Sequence, residues 1–129
     1  MAAAISRTGR ARDLIAAGLR GDYVLHVSTL VLRETEGNII AKAPHALDML
    51  IYITNALPAP VTPSLTAVED AMRLVEPKDA PIVAAAVLVK ADYLASYDRR
   101  HLLAKRMEIE QAYGIMTATP DDILRETQP

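Results

Sequence analysis

Two short groups of residues carry side chains that could do chemistry together. The stretch DAPIVAAAVLVKADYLASYDRRHLL, residues 79–103, opens on Asp79 two residues ahead of Pro81, and closes on Asp98 followed by Arg99, Arg100 and His101. Upstream, VSTLVLRE places Ser28 six residues before Glu34. Gathered in space, Glu34, Asp79 and Asp98 would make a site for a hard divalent cation. Mg²⁺ or Mn²⁺ suits oxygen ligands, keeps several waters and binds substrate phosphate. Such an ion can activate water and stabilise the leaving oxygen of a phosphodiester. Carboxylates packed together without a cation repel one another. Each acid also has a plainer role. Asp79 and Asp98 stand at helix N-cap positions, where Asp is favoured for its own sake. Glu34 fits a solvated helix face. Asp121 and Asp122 complement a helix dipole, Glu36, Glu69 and Asp70 read as surface charges, and Asp92 turns the chain into a strand. Arg99, Arg100 and His101 could hold phosphates or could line a solvated face; His26 and His45 read as structural.

These residues need elements to position them. GRARDLIAAGLRGD spaces Leu14, Ile15, Gly18 and Leu19 for a helix over 11–20, with Gly21 as its stop. YVLHVS is rich in strand formers and reads as a short buried strand. Ser28 caps a helix to about Ala41, and APHALDMLIYITNAL is a second, with Pro44 in its first turn. LPAPVTPSLT carries three Pro, so it is an extended connector or an edge strand. TAVEDAMRLVEP is a short helix ended by Pro77. The run IVAAAVLV is ambiguous by period alone, but Asp79, Pro81 and three consecutive Ala favour a helix. ADYLASYD is a strand, RRHLLAKRMEIEQAY a helix and turn, GIMTAT a last strand, and PDDILRE a final helix with Pro first. Only the last three or four residues read as disordered. Strands alternating with helices predict one α/β domain over 1–129, a mostly parallel sheet covered by helices.

Composition narrows the classes. The chain has 129 residues, 51% hydrophobic, with neither Phe nor Trp, so its core must be built from many small aliphatic contacts. A net charge of -2 argues against a strongly basic nucleic-acid module. The absence of Cys excludes disulfides and thiolate metal sites. No apolar run approaches the roughly 20 residues a bilayer requires, and MAAAISRTGR lacks a signal-peptide core. The expectation is a soluble cytoplasmic protein with no membrane partner.

Taken together, the order and spacing of these motifs resemble the PIN-domain ribonuclease family. The match lies in Asp79, the Ala84–Ala86 run, Ala91 to Leu94, Ser96 and Asp98, in Ser28 and Glu34, in the first helix with the strand after it, and in the closing strand and helix GIMTATPDDIL. The resemblance spans nearly the whole chain and points to the branch of toxins in toxin–antitoxin pairs. It implies a three-layer sandwich around a mostly parallel sheet, and a metal-dependent endoribonuclease using Mg²⁺ or Mn²⁺ on an RNA substrate. Glu34, Asp79 and Asp98 would be metal ligands and catalytic residues. Ser96 would support the last acid, and Ser96, Arg99, Arg100 and His101 would face phosphate, with Arg7 and Arg10 adding positive charge. An antitoxin protein and a homodimer are the implied partners. The family opens with a strand ending in a further Asp. This sequence starts where that segment is already over, so the first strand and first acid are expected to be missing, through a late start codon or true shortening. Weaker metal binding and impaired cleavage would follow. The alternative is a non-catalytic module of the same fold that binds RNA or protein.

Overall fold

Helix α1, Arg10–Arg20, follows from the apolar spacing that points Leu14, Ile15 and Ala17 into the interior. In the computed structural model of the chain, residues 10–127 are described. The expected charge contribution of Arg7 and the state of the last two residues lie outside that range. Among the described residues there are seven α-helices and one two-stranded parallel sheet, an α/β arrangement. The chain divides into two compact units, residues 1–61 and 62–129.

In the first unit, α1 is followed by α2, Thr29–Lys42, a short 3₁₀ turn at Pro44–Ala46, and α3, Leu47–Ala56. Ser28 caps α2 as its sequence position predicts: its hydroxyl accepts the Val31 N–H at 3.1 Å. Ile15, Ile53 and Leu57 form one buried cluster with Leu25 and Val27 against it; Ile39, Ala46 and Leu50 form another. Gly18 lets Leu25 come close, since a Cβ there would lie 2.9 Å from the Leu25 Cβ. The strand expected at YVLHVS does not form a ladder. Residues 23–27 are irregular, Val24 is 78% exposed, and pairing shrinks to a single parallel bridge, Ser28 to Val61. Strand propensity measures fit to a pleated, half-buried surface, and here one residue of the Pro-rich connector supplies the only described partner.

The second unit runs through α4, Leu65–Ala71, and α5, Ala80–Leu88, to β1, Tyr93–Ala95. A 3₁₀ turn at Leu103–Lys105 then leads into α6, Arg106–Tyr113, followed by β2, Met116–Ala118, and α7, Pro120–Thr127. The run at 82–89 is helical through 88. Ala80, Val83, Ala84, Ala85 and Ala86 are all buried, as expected of a helix apolar on every side. It ends with the Lys90 N–H bonded to the Val87 carbonyl, the Ala91 N–H to that of Ala86, and Lys90 at φ 54°. That pairing is the Schellman closure, here with Lys where Gly is usual. The turn delivers the chain directly into β1, which pairs in parallel with β2 in the register Tyr93–Met116, Leu94–Thr117 and Ala95–Ala118. The core of this unit gathers Ala71, Val75, Ala80, Val83, Ala86, Leu102, Ile109 and Ile115.

On the rim of that core the Tyr113 hydroxyl donates to Asp70 on α4. Burial, that hydrogen bond and the Asp70 charge push Tyr113 up to about 12, against a small pull downward from Arg73. A tyrosine raised above its unfolded value of about 10 contributes stability that is complete below that pH and is lost as pH rises towards the folded value. The unfolding free energy should therefore fall from about pH 10 upward in the native protein. The fall should be shallower in Tyr113→Phe. Denaturant melts across that range, with spectrophotometric titration of the five tyrosines, check both points.

Candidate metal centre

Two turns of backbone and one imidazole ring build the site. The first is the entry to α5. The Asp79 N–H donates to the Glu76 carbonyl at 2.9 Å, and the Asp79 carbonyl accepts from Ile82 and Val83. Asp79 sits at the N-cap position, yet its side chain makes no capping hydrogen bond. It is 5% exposed, and its Oδ2 is buried with no hydrogen-bond partner. A buried carboxylate oxygen left unpaired costs free energy and calls for an explanation.

The second turn follows β1. The Ser96 N–H closes the sheet onto the Ala118 carbonyl, and the Ser96 hydroxyl accepts the Asp98 N–H, both at 3.0 Å. Asp98 Oδ1 accepts the His101 N–H at 3.1 Å, capping a turn over 99–102 and not the helix expected there, since α6 begins only at Arg106. Burial pushes the Asp98 carboxyl upward. The His101 backbone N–H, the His101 ring and the Lys78 charge together outweigh that and hold it below the usual carboxylate range.

The third element is His101 itself. Its Nδ1 lies 3.2 Å from both Asp98 oxygens, and 3.2 Å from Lys78 Nζ; its Nε2 lies 3.6 Å from Glu76 Oε2. Asp79, Asp98 and His101 each present one ligand atom within 4.8 Å of the others. Val75, Glu76, Asp79, Arg100, His101 and Lys105 line a cavity of about 70 Å³. That volume suits a hydrated ion and is too small to enclose a nucleotide. The donor set, two carboxylates and an imidazole with waters completing the shell, fits a divalent cation. Asp79, which carries the unpaired oxygen, is one of the three.

Of the residues expected from sequence, Asp79 and Asp98 come together. Ser96 braces the second, and Arg100 and His101 border the cavity, while Arg99 is exposed beside them. Arg10 pairs with Asp13 at 3.1 Å. Glu34 belongs to the first unit, exposed on α2. His26 and His45 are both exposed. Sequence reasoning gave His101 to phosphate and passed over Glu76. The three-residue spacings Glu76–Asp79 and Asp98–His101, each across one turn, were the available signal. Comparison of the chain with protein-family models, curated proteins and solved structures finds no match. Among the described residues, no helix is long and apolar enough to cross a membrane. What fold and site define, then, is an α/β chain with a candidate divalent-cation centre.

Proposed function

We propose that this chain is a PIN-type endoribonuclease, dependent on Mg²⁺ or Mn²⁺, acting as the toxin of a toxin–antitoxin pair. Its full architecture in this reading is a three-layer sandwich around a mostly parallel sheet. The observation that carries the reading is Asp79: buried, not capping its helix, carrying an unpartnered oxygen, and grouped in space with Asp98 and His101. Structural aspartates at helix starts spend their oxygens on backbone N–H groups; this one does not.

Asp79 and Asp98 would hold the cation, which when bound supplies Lewis acidity towards a phosphate oxygen and acidifies water. Ser96 fixes the Asp98 backbone. The cavity is too small for a nucleotide, so the scissile phosphate lies at its mouth. There Arg100 and Lys105 from the lining, with exposed Arg99, neutralise it. Glu34 enters through the resemblance alone, and Glu34→Gln tests it separately. The test is hydrolysis of single-stranded RNA by the purified chain. Cleavage is expected with Mn²⁺ or Mg²⁺, absent in chelator and lost in Asp98→Asn; cleavage that survives chelator, or is unchanged in Asp98→Asn, overturns the reading.

A protein-binding module with the same fold is the second reading. It is favoured by Met49 and Tyr52, 50% and 64% exposed although three residues apart on one face of α3. An antitoxin or a second copy of the chain would cover them, and binding indifferent to divalent cations would support this reading over the first.

A further inference from the structure

We infer that His101 is a direct ligand of the cation through Nδ1, so that the centre prefers ions that accept imidazole, such as Mn²⁺, over Mg²⁺. The inference rests on the cation reading of the Asp79–Asp98 pair and adds to it a nitrogen donor. Neither the acids alone nor the family resemblance calls for one.

Three observations carry it. The first is spacing. Two ligands at right angles around an ion, each about 2.1 Å away, lie about 3.0 Å apart. His101 Nδ1 stands 3.2 Å from Asp98 Oδ1 and 3.2 Å from Oδ2, and all three side chains offer atoms within 4.8 Å of one another. The second is ring orientation. A ligating histidine turns its other nitrogen towards a carboxylate, which fixes the tautomer. His101 Nε2 lies on the Glu76 side, 3.6 Å from Oε2, and Nδ1 on the Asp98 side at 3.2 Å, so the nitrogen that shares a face with the second carboxylate is Nδ1. The third is the backbone. The His101 N–H is bonded to Asp98 Oδ1, which ties residue 101 to that carboxylate, and its side chain lines a cavity that Asp79 also lines.

Lys78 Nζ lies 3.2 Å from the same Nδ1. Nδ1 can donate to Asp98 or accept from Lys78, not both with one proton count. Lys78 is exposed, so it can swing out without disturbing packing when an ion enters. Mn²⁺ favours oxygen donors but, as a transition ion, accepts an imidazole among them, while Mg²⁺ keeps to oxygen and water.

The experiment is electron spin echo envelope modulation on the whole chain loaded with Mn²⁺, with Mn²⁺ and Mg²⁺ affinities measured by calorimetry. Wild type is expected to show ¹⁴N modulation from a bound imidazole. His101→Gln should lose that modulation and bind Mn²⁺ roughly tenfold or more weakly, with a much smaller change for Mg²⁺. Mn²⁺ bound without nitrogen coupling, or an unchanged Mn²⁺/Mg²⁺ preference in His101→Gln, overturns the inference and leaves the carboxylate site standing. Failure of wild type to bind Mn²⁺ at all overturns both.

Discussion

Replacing Asp79 with alanine is expected to raise the melting temperature of the protein in chelator and to abolish its response to divalent cations. The two effects have one cause. The Asp79 carboxylate is 5% exposed, one oxygen has no partner in the protein, and its side chain does not cap α5. An unsatisfied buried polar group costs about 1–3 kcal/mol. Against that stands the pull of the α5 N-terminus on a negative charge, about 0.3–1 kcal/mol, so removal should stabilise by about 1 kcal/mol. The backbone at Asp79 is ordinary helix, φ −95° and ψ −19°, which alanine adopts freely. With cation the order reverses. At a hundred times Kd, wild type should gain about 2.7 kcal/mol, roughly 10 °C in a domain of this size, and Asp79→Ala should gain nothing. RNA cleavage should fall to background in the same variant. Thermal melts with and without Mn²⁺ decide the matter: a variant less stable than wild type in chelator would make Asp79 a structural residue.

Ile109→Ala is expected to cost about 2–5 kcal/mol, the usual range for an isoleucine emptied from a core. Ile109 is fully buried on α6, in the same cluster as Val75, Ala80, Val83 and Leu102. The total stability of a domain is only about 5–15 kcal/mol, so a large share is at stake. Small neighbours make the loss harder to absorb. Ala71, Ala80 and Ala86 have no side chain long enough to fold into the gap. The consequence reaches the cation centre, because Ala80 follows Asp79 and Leu102 follows His101 in sequence, and both are anchored in this cluster. Denaturant unfolding should show the lower midpoint. Calorimetry should show weakened Mn²⁺ binding even though no ligand has been touched. An Ile109→Val control should cost about 0.5–1.5 kcal/mol and leave the binding constant close to wild type.

Local signals in the sequence were good guides where the interaction they report is itself local. Ser28 caps α2 through a bond three residues long. The Asp79-Ala80-Pro81 start and the alanine run resolved residues 80–88 as helix rather than strand. The parallel pairing of the strands around 93–95 and 116–118 also followed from their separation by a helix. Where pairing depends on a distant partner the sequence was mute. Tyr23, Val24 and Val27 have strand propensity, but the only described bridge in this region goes from Ser28 to Val61. At the site, Asp98 does cap a turn and Asp79 does not. The same residue type at the same kind of position diverges because one side chain is a third exposed and the other is buried at the start of α5. His101 was legible only as a charge beside two arginines. Its aim towards Asp98 depends on the tight turn after β1, which propensity does not encode.

Asp79 is sealed from solvent, whereas the side chains of Asp98 and His101 remain 33% and 31% exposed. A cation held by these residues would keep a solvent-facing side, and its identity would then follow whichever metals the surroundings hold free.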